Sequence, residues 1–192
     1  MESKVLAISG SLRRGSFNSS LLRAAKELAP NGMHIEIYEG LREIPPYDND
    51  VHEKGDPVII RALKASIAAA DGLLIATPEY NYGIPGVLKN AIDWVSRPEN
   101  PMNGKPTAIM GASPGNFGTV RAQLALRQSF LFTNNAVMSR PELLVFGANK
   151  RFSESGKLTD EDTKRFLLEF LQAFEQWIAR NAPKPVMAGS PL

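Results

Sequence analysis

Ser9-Gly10-Ser11-Leu12-Arg13-Arg14-Gly15-Ser16-Phe17-Asn18 follows a short apolar run and leads into a helical pattern. Two glycines let the backbone bend closely, while the hydroxyls, Asn18 and the arginines set donors beside a helix N-terminus. That is the chemistry of a phosphate cradle. A Walker A loop would need a lysine after its second glycine, and a dinucleotide loop would need glycine where Leu12 stands. Neither fits. Abundant hydroxyls with an arginine suit a terminal phosphate monoester, whose oxygens accept several hydrogen bonds at once.

A second stretch, Thr77-Pro78-Glu79-Tyr80-Asn81-Tyr82-Gly83-Ile84-Pro85-Gly86, is rigid and aromatic. Its prolines restrict the backbone at both ends, Gly83 and Gly86 permit tight bends, and the tyrosines offer flat surfaces to a planar guest. The third, Ala112-Ser113-Pro114-Gly115-Asn116-Phe117-Gly118-Thr119, is glycine-rich and also opens a helix. Gly111 to Gly115 fits the G-x-S-x-G elbow of hydrolases. However, Pro114 lacks the N–H that an oxyanion needs there, and both histidines precede Ser113, against the hydrolase order. A serine nucleophile is excluded. One phosphate at the first loop and a planar ring at the second describe flavin mononucleotide.

These loops need a frame that brings them together. Short apolar runs alternate with amphipathic stretches, the pattern of a parallel sheet with crossover helices. Strands are expected at 4–8, 34–38, 72–76, 107–111 and 142–146, with the second, apolar on one side only, at an edge. Helices are expected at 18–28, 57–70, 85–95, 119–132 and 159–180. The last has Thr159 as its expected N-cap and Phe166, Phe170, Phe174, Trp177 and Ile178 as its core stripe. Right-handed crossovers covering both faces favour an α/β doubly wound sheet of order 2-1-3-4-5. Its switch point lies between strands 1 and 3, so the three loops converge at the strands' carboxyl ends.

Composition narrows the chemistry. The chain has 192 residues, 43% of them apolar, which suits one domain over residues 1–182 with a disordered Pro-rich tail at 183–192. No apolar run is long enough to span a bilayer, and the first strand begins too early for a secretory leader, so a cytoplasmic location is expected. Without cysteine there is no thiolate, iron–sulfur or Cys-type zinc chemistry. A net charge of +2 gives little drive toward nucleic acid. His34 opens a strand and His52 sits in an expected solvated loop at 48–53, so no metal site is expected. Any redox chemistry must then belong to a cofactor.

Gly10-Ser11-Leu12-Arg13 with Ser16 and Asn18, then Pro78-Glu79-Tyr80-Asn81-Tyr82, then Leu88-Lys89-Asn90-Ala91-Ile92-Asp93-Trp94 resemble the NADPH-dependent FMN reductase family. The likeness runs from about residue 4 to residue 180. It implies a three-layer flavodoxin-like fold with non-covalent FMN and NADPH or NADH as electron donor. Ser11, Arg13, Ser16, Phe17 and Asn18 would hold the phosphate, Pro78, Glu79, Tyr80 and Asn81 would run along the isoalloxazine, and Ser113 would close the other side. Asn81 and Tyr82 would line the substrate opening. Electrons would pass, by a ping-pong cycle, to a quinone, azo compound, metal oxyanion such as chromate, or free flavin. The family also implies a homodimer or homotetramer, with residues 88–94 and the helix from Thr119 facing a partner and Arg121 and Glu142 as an intersubunit ion pair. Two other readings stand beside this one: an FMN electron carrier of flavodoxin type without a nicotinamide site, disfavoured by the charge of +2, and a phosphate-binding module without redox activity.

Overall fold

Along β1 (Ser3–Ser9), Val5 and Ala7 turn to one face of the sheet and Leu6 and Ile8 to the other, and all four are buried. A strand apolar on both faces belongs in the middle of a covered parallel sheet. The computed structural model, which describes residues 2–182, sets it there. After β1 the chain forms α1 (Phe17–Glu27), β2 (Met33–Tyr38), α2 (Asn49–Glu53), α3 (Val58–Ala69), β3 (Gly72–Ala76) and α4 (Gly86–Val95). It continues as β4 (Pro106–Ala112), α5 (Val120–Thr133), β5 (Ala136–Val137), β6 (Leu143–Val145) and α6 (Glu161–Asn181). All pairings are parallel in the order β2-β1-β3-β4-β5, with β6 also on β4.

The alternation in the strands decides the layers. Leu21, Leu22, Phe170 and Phe174, from α1 and α6, pack on the face that carries Val5, Ala7, Leu74 and Met110. Ile60, Leu63, Trp94 and Leu126, from α3, α4 and α5, cover the face that carries Leu6, Ile8, Leu73 and Ile109. β2 lies at the edge, with Met33 and Ile35 buried and His34 and Glu36 exposed. Trp94 is fully buried, and its indole N–H donates to the Pro45 carbonyl at 2.8 Å, so no polar atom of the ring is stranded.

Several expectations are corrected. The fifth strand is two pieces on the outer edge of β4. β5 pairs with Pro106 and Thr107, and β6 with Met110, Gly111 and Ala112. Between them Pro141, which has no N–H, cannot continue a ladder. α6 is capped by Asp160 rather than Thr159. The Asp160 carboxylate accepts from the Thr163 N–H at 2.9 Å, whereas the Thr159 hydroxyl donates to the Arg151 carbonyl. Its buried face runs through Thr163, Leu167, Phe170, Leu171, Phe174 and Ile178, which leaves Phe166 exposed and Trp177 partly buried. The expected loop at 48–53 contains α2, capped by Asp48, and its His52 pairs with Asp56, which also holds Lys64. Leu88, Ala91, Ile92 and Trp94 of α4 are buried in the chain's own core, so that face of 88–94 is closed to a partner. The expected tail at 183–192 lies outside the described residues.

Candidate functional site

The loop between β1 and α1 is fixed from within and from outside. Ser9 Oγ meets Ser19 Oγ at 2.9 Å and accepts from the Ser11 N–H, and Ser11 Oγ accepts from the Arg13 N–H. Ser16 caps α1, its hydroxyl accepting from the N–H groups of Asn18 and Ser19. From β2's side, Arg42 donates to the Leu12 carbonyl at 2.6 Å. Gly10 is closely packed: a Cβ there would lie 3.0 Å from Leu88 and 3.2 Å from Pro78, so those side chains would have to give way. Among the described residues, the N–H groups of Leu12, Arg14, Gly15 and Phe17 donate to no protein acceptor. These unclaimed donors gather at a helix N-terminus, so the cradle fits a phosphate by its donor set.

Asn18 also ties two elements together. Its buried amide accepts from the Ala112 N–H at 2.9 Å and donates to the Ala112 carbonyl at 3.0 Å. The side chain staples α1 to the end of β4, which sets the first loop against the third. Arg13 and Arg14 are exposed, and with Arg23, Arg42, Ser11 and Tyr38 they line a cleft of about 450 Å³. The Tyr38 hydroxyl is buried there without a hydrogen-bond partner among the described residues. Burial first, and the Glu43 carboxylate second, push its phenol above the ordinary range.

The second loop leaves β3 with the Thr77 N–H on the Met110 carbonyl. It then closes a tight hairpin in which Tyr80 and Gly83 exchange N–H and C=O at 3.2 and 2.9 Å. Asn81 and Tyr82 carry φ of 50° and 64°, the left-handed pair of a type I′ turn. Asparagine tolerates that conformation; a tyrosine there stores roughly 1 kcal/mol or more of strain. The Tyr80 hydroxyl lies 3.4 Å from Ser11 Oγ, joining the aromatic turn to the phosphate cradle. Tyr80 and Tyr82 are both exposed, open to a planar guest.

In the third loop, Ser113 donates its N–H to the Val145 carbonyl, and its hydroxyl accepts from Gly115. Thr119 precedes α5 with φ 69° and supplies no side-chain cap. Glu79 does so from the second loop. Its Oε2 accepts from the N–H groups of Arg121 and Ala122 at 2.9 and 3.2 Å, and its Oε1 from Arg121 Nη1 at 3.0 Å. A carboxylate at a helix N-terminus is stabilising, so the Glu79 side chain locks the second loop to the third. Within one chain Arg121 is held by Glu79, and Glu142 by Arg140 at 3.0 Å. Arg121 also lies over the rings of Tyr82 and Phe117. Sequence reasoning missed Phe117 and this use of Arg121; the signal was the unused acid in a loop followed by a helix that has no capping residue of its own.

The three loops therefore meet at the carboxyl ends of β1, β3 and β4, joined by the Tyr80–Ser11, Asn18–Ala112 and Glu79–Arg121 contacts. Among the described residues no cluster of His, Asp or Glu could hold a metal, and no helix is long and apolar enough to cross a membrane. Residues 3–150 match the family of NADPH-dependent FMN reductases. A Pseudomonas aeruginosa NAD(P)H-dependent FMN reductase is 48% identical over 178 residues, covering 92% of this chain and 96% of that protein. An Escherichia coli quinone reductase is 42% identical over 180 residues, covering 92% and 96%. The solved structure of a Paracoccus denitrificans flavoenzyme, an NAD(P)H:(acceptor) oxidoreductase, superposes with a TM-score of 0.86 at 35% identity, covering 93% of this chain and 98% of that one. With the family matched over most of its length, the chain belongs to the NADPH-dependent FMN reductases and is a flavodoxin-like oxidoreductase whose cofactors are FMN and a reduced nicotinamide.

Proposed function

We propose that this protein carries reducing equivalents from NADPH or NADH to a quinone, by a ping-pong cycle in which the nicotinamide leaves before the acceptor enters the same opening. Azo compounds, metal oxyanions such as chromate, and free flavin form the wider acceptor range. The observation that carries the reading is the Tyr80–Ser11 contact, which sets the aromatic turn beside the cradle of unclaimed N–H groups. FMN, when bound, supplies the two-electron chemistry. The protein's part is positional. Ser11, Ser16 and the free N–H groups from Leu12 to Phe17 bind the phosphate, and Arg13 balances its charge. Residues 78–81 run along the ring, and within the segment Glu79 to Gly83 the N–H groups of Glu79, Asn81 and Tyr82, which the Tyr80–Gly83 exchange leaves free among the described residues, are donors to its polar edge. Ser113 closes the far side, and the exposed Tyr82 ring lines the opening. The E. coli relative's activity, given by its name as quinone reduction, supports quinones as the acceptor class.

The test uses the purified protein saturated with FMN. Anaerobic addition of NADPH or NADH should bleach the yellow colour, and a quinone should restore it; initial-rate plots at several quinone concentrations should be parallel. A yellow protein that neither nicotinamide bleaches would instead be an electron carrier, and intersecting plots would remove the ping-pong order. Arg13→Ala with Ser16→Ala should fold and purify colourless. Wild-type flavin content in that double variant would refute the cradle assignment.

A further inference from the structure

We propose that the cleft beside the phosphate cradle holds the adenosine 2′-phosphate of the electron donor, and that Arg14, Arg23 and Arg42 select NADPH over NADH. The inference rests on the flavin-site reading above. The cleft, of about 450 Å³, lies between the first loop, α1 and the end of β2, and Arg13, Arg14, Arg23 and Arg42 line it against one carboxylate, Glu39. The ion-paired arginines among the described residues are Arg121, Arg140, Arg151 and Arg165, so none of these four is paired. Arg42 and Arg23 each spend a nitrogen on a neutral oxygen, the Leu12 carbonyl and the Ser20 hydroxyl, and Arg13 lies over the Phe17 ring. Two further carboxylates, Glu27 and Glu43, stand outside the lining. Unpaired cations gathered in one cleft repel one another and focus their field on an anion that enters it.

The FMN phosphate does not use up this charge. A phosphate monoester carries about two negative charges at neutral pH, and the end of α1 offers about half a positive one. With both counted beside the four arginines and Glu39, the lining stays positive by about one and a half charges. A 2′-phosphate matches that surplus, whereas NADH presents only a hydroxyl there. FAD would bring its adenosine to the same cleft, but its pyrophosphate carries about the charge of the FMN phosphate and leaves the arginines unmatched. The position agrees. Dinucleotide-binding sheets of this layered kind read the ribose 2′ position at the end of the second strand, by an acid for a hydroxyl or an arginine for a phosphate. Here β2 ends at Tyr38, Glu39 follows, and Arg42 stands three residues further on. Leu12, Ile37, Leu41 and Tyr38 supply apolar wall for an adenine, and the partnerless Tyr38 hydroxyl is an orphan donor in that wall. Ser11 joins the cleft to the ring site, since it lines the cleft and its hydroxyl lies 3.4 Å from that of Tyr80. A donor with its nicotinamide over the flavin, running back along FMN, therefore ends among the arginines.

The test uses FMN-loaded wild type, Arg14→Gln, Arg23→Gln and the double variant. Calorimetry on the oxidised protein measures adenosine 2′,5′-bisphosphate against adenosine 5′-monophosphate, and quinone turnover gives kcat/KM for NADPH and for NADH. Wild type should prefer the bisphosphate, and NADPH, by about tenfold or more, the factor that charge-assisted hydrogen bonds give. Each single variant should lower both preferences about threefold to tenfold, as expected for exposed arginines, and the double variant should approach parity. Ratios are read within each variant, so a change in flavin binding cancels. Added salt should weaken the bisphosphate more in wild type than in the double variant. Parity in wild type, or unchanged ratios in the double variant, overturns the assignment. Release of FMN by the bisphosphate would place that probe in the cradle, and displacement of FMN by FAD would give the cleft to the cofactor's own adenosine; either result also overturns it. All of these leave the flavin reading intact, whereas a protein that retains no FMN, or that neither nicotinamide bleaches, would overturn both.

Discussion

Tyr82 shows how a single residue can serve the site at the expense of the local backbone. A type I′ turn prefers Asn-Gly, and here the second place holds tyrosine at φ 64°. The strain of roughly 1 kcal/mol is opposed by the Arg121 cation beneath the ring, a contact worth about 0.5–1 kcal/mol at an exposed position. The two nearly offset each other. Tyr82→Gly should therefore change the melting temperature by less than about 4 °C, since a 1 kcal/mol change moves a domain of this size by about 2–4 °C. Flavin content, read by absorbance, should stay at the wild-type level while KM for a quinone rises. A melting temperature lower by more than about 8 °C would mean that the ring carries the turn's stability rather than its function. At this scale the sequence was only partly legible. The donors of the cradle and the aromatic turn could be read from residue types, because hydroxyls, glycines and tyrosines have few other uses in such density. The partners of Asn18, Glu79 and Arg121 could not, because each reaches a residue at least 42 positions away.

Elements are set by caps and by apolar faces, and α6 illustrates both. Asp160 accepts at one oxygen from the Thr163 N–H, the Thr163 hydroxyl and Arg151 Nη1. The hydrogen bonds from Thr163, and then Arg151, hold its carboxyl below the usual aspartate range. A depressed folded pKa means that this stabilisation is fully present above the unfolded aspartate value and is lost as pH falls through the folded one. Asp160→Ala should cost about 1 kcal/mol at neutral pH, as cap removals do. Denaturant curves for wild type and variant should converge as pH drops below about 4, the ordinary aspartate range. A gap that persists unchanged at low pH would show that the cap acts through shape and not through charge. The strands were largely legible because parallel, doubly covered strands are continuous apolar runs. The split of the last strand was not, since β5 has only two residues and its pairing depends on where β4 lies. The phase of α6 was misjudged by counting aromatics; Leu167 and Leu171 define the buried line, and Phe166 falls off it.

At the scale of the whole molecule, α5 carries an imbalance that one copy of the chain does not resolve. Ala122, Leu126 and Phe130 are buried, yet Leu124 is 56% and Leu131 81% exposed on the opposite side. With Arg121 and Gln128 they follow alternating steps of three and four along α5, the spacing by which one helix packs along another. Exposed apolar side chains in a continuous line signal an interaction surface more than scattered ones do. Because the line begins at Arg121, which lies over the Phe117 ring, a second copy seated on it would border the mouth of the site. We therefore expect the protein to run in light scattering at two or four times its 21.0 kDa chain mass. Leu124→Glu with Leu131→Glu should reduce it to one, since two buried like charges across a twofold contact cost more than the apolar contacts return. The monomer should keep its far-ultraviolet circular dichroism, because neither leucine is in the core, but should lose turnover with quinones as the mouth opens to water. A wild type that elutes as a monomer would refute the assembly, and a dissociated variant with unchanged turnover would separate the site from the subunit boundary.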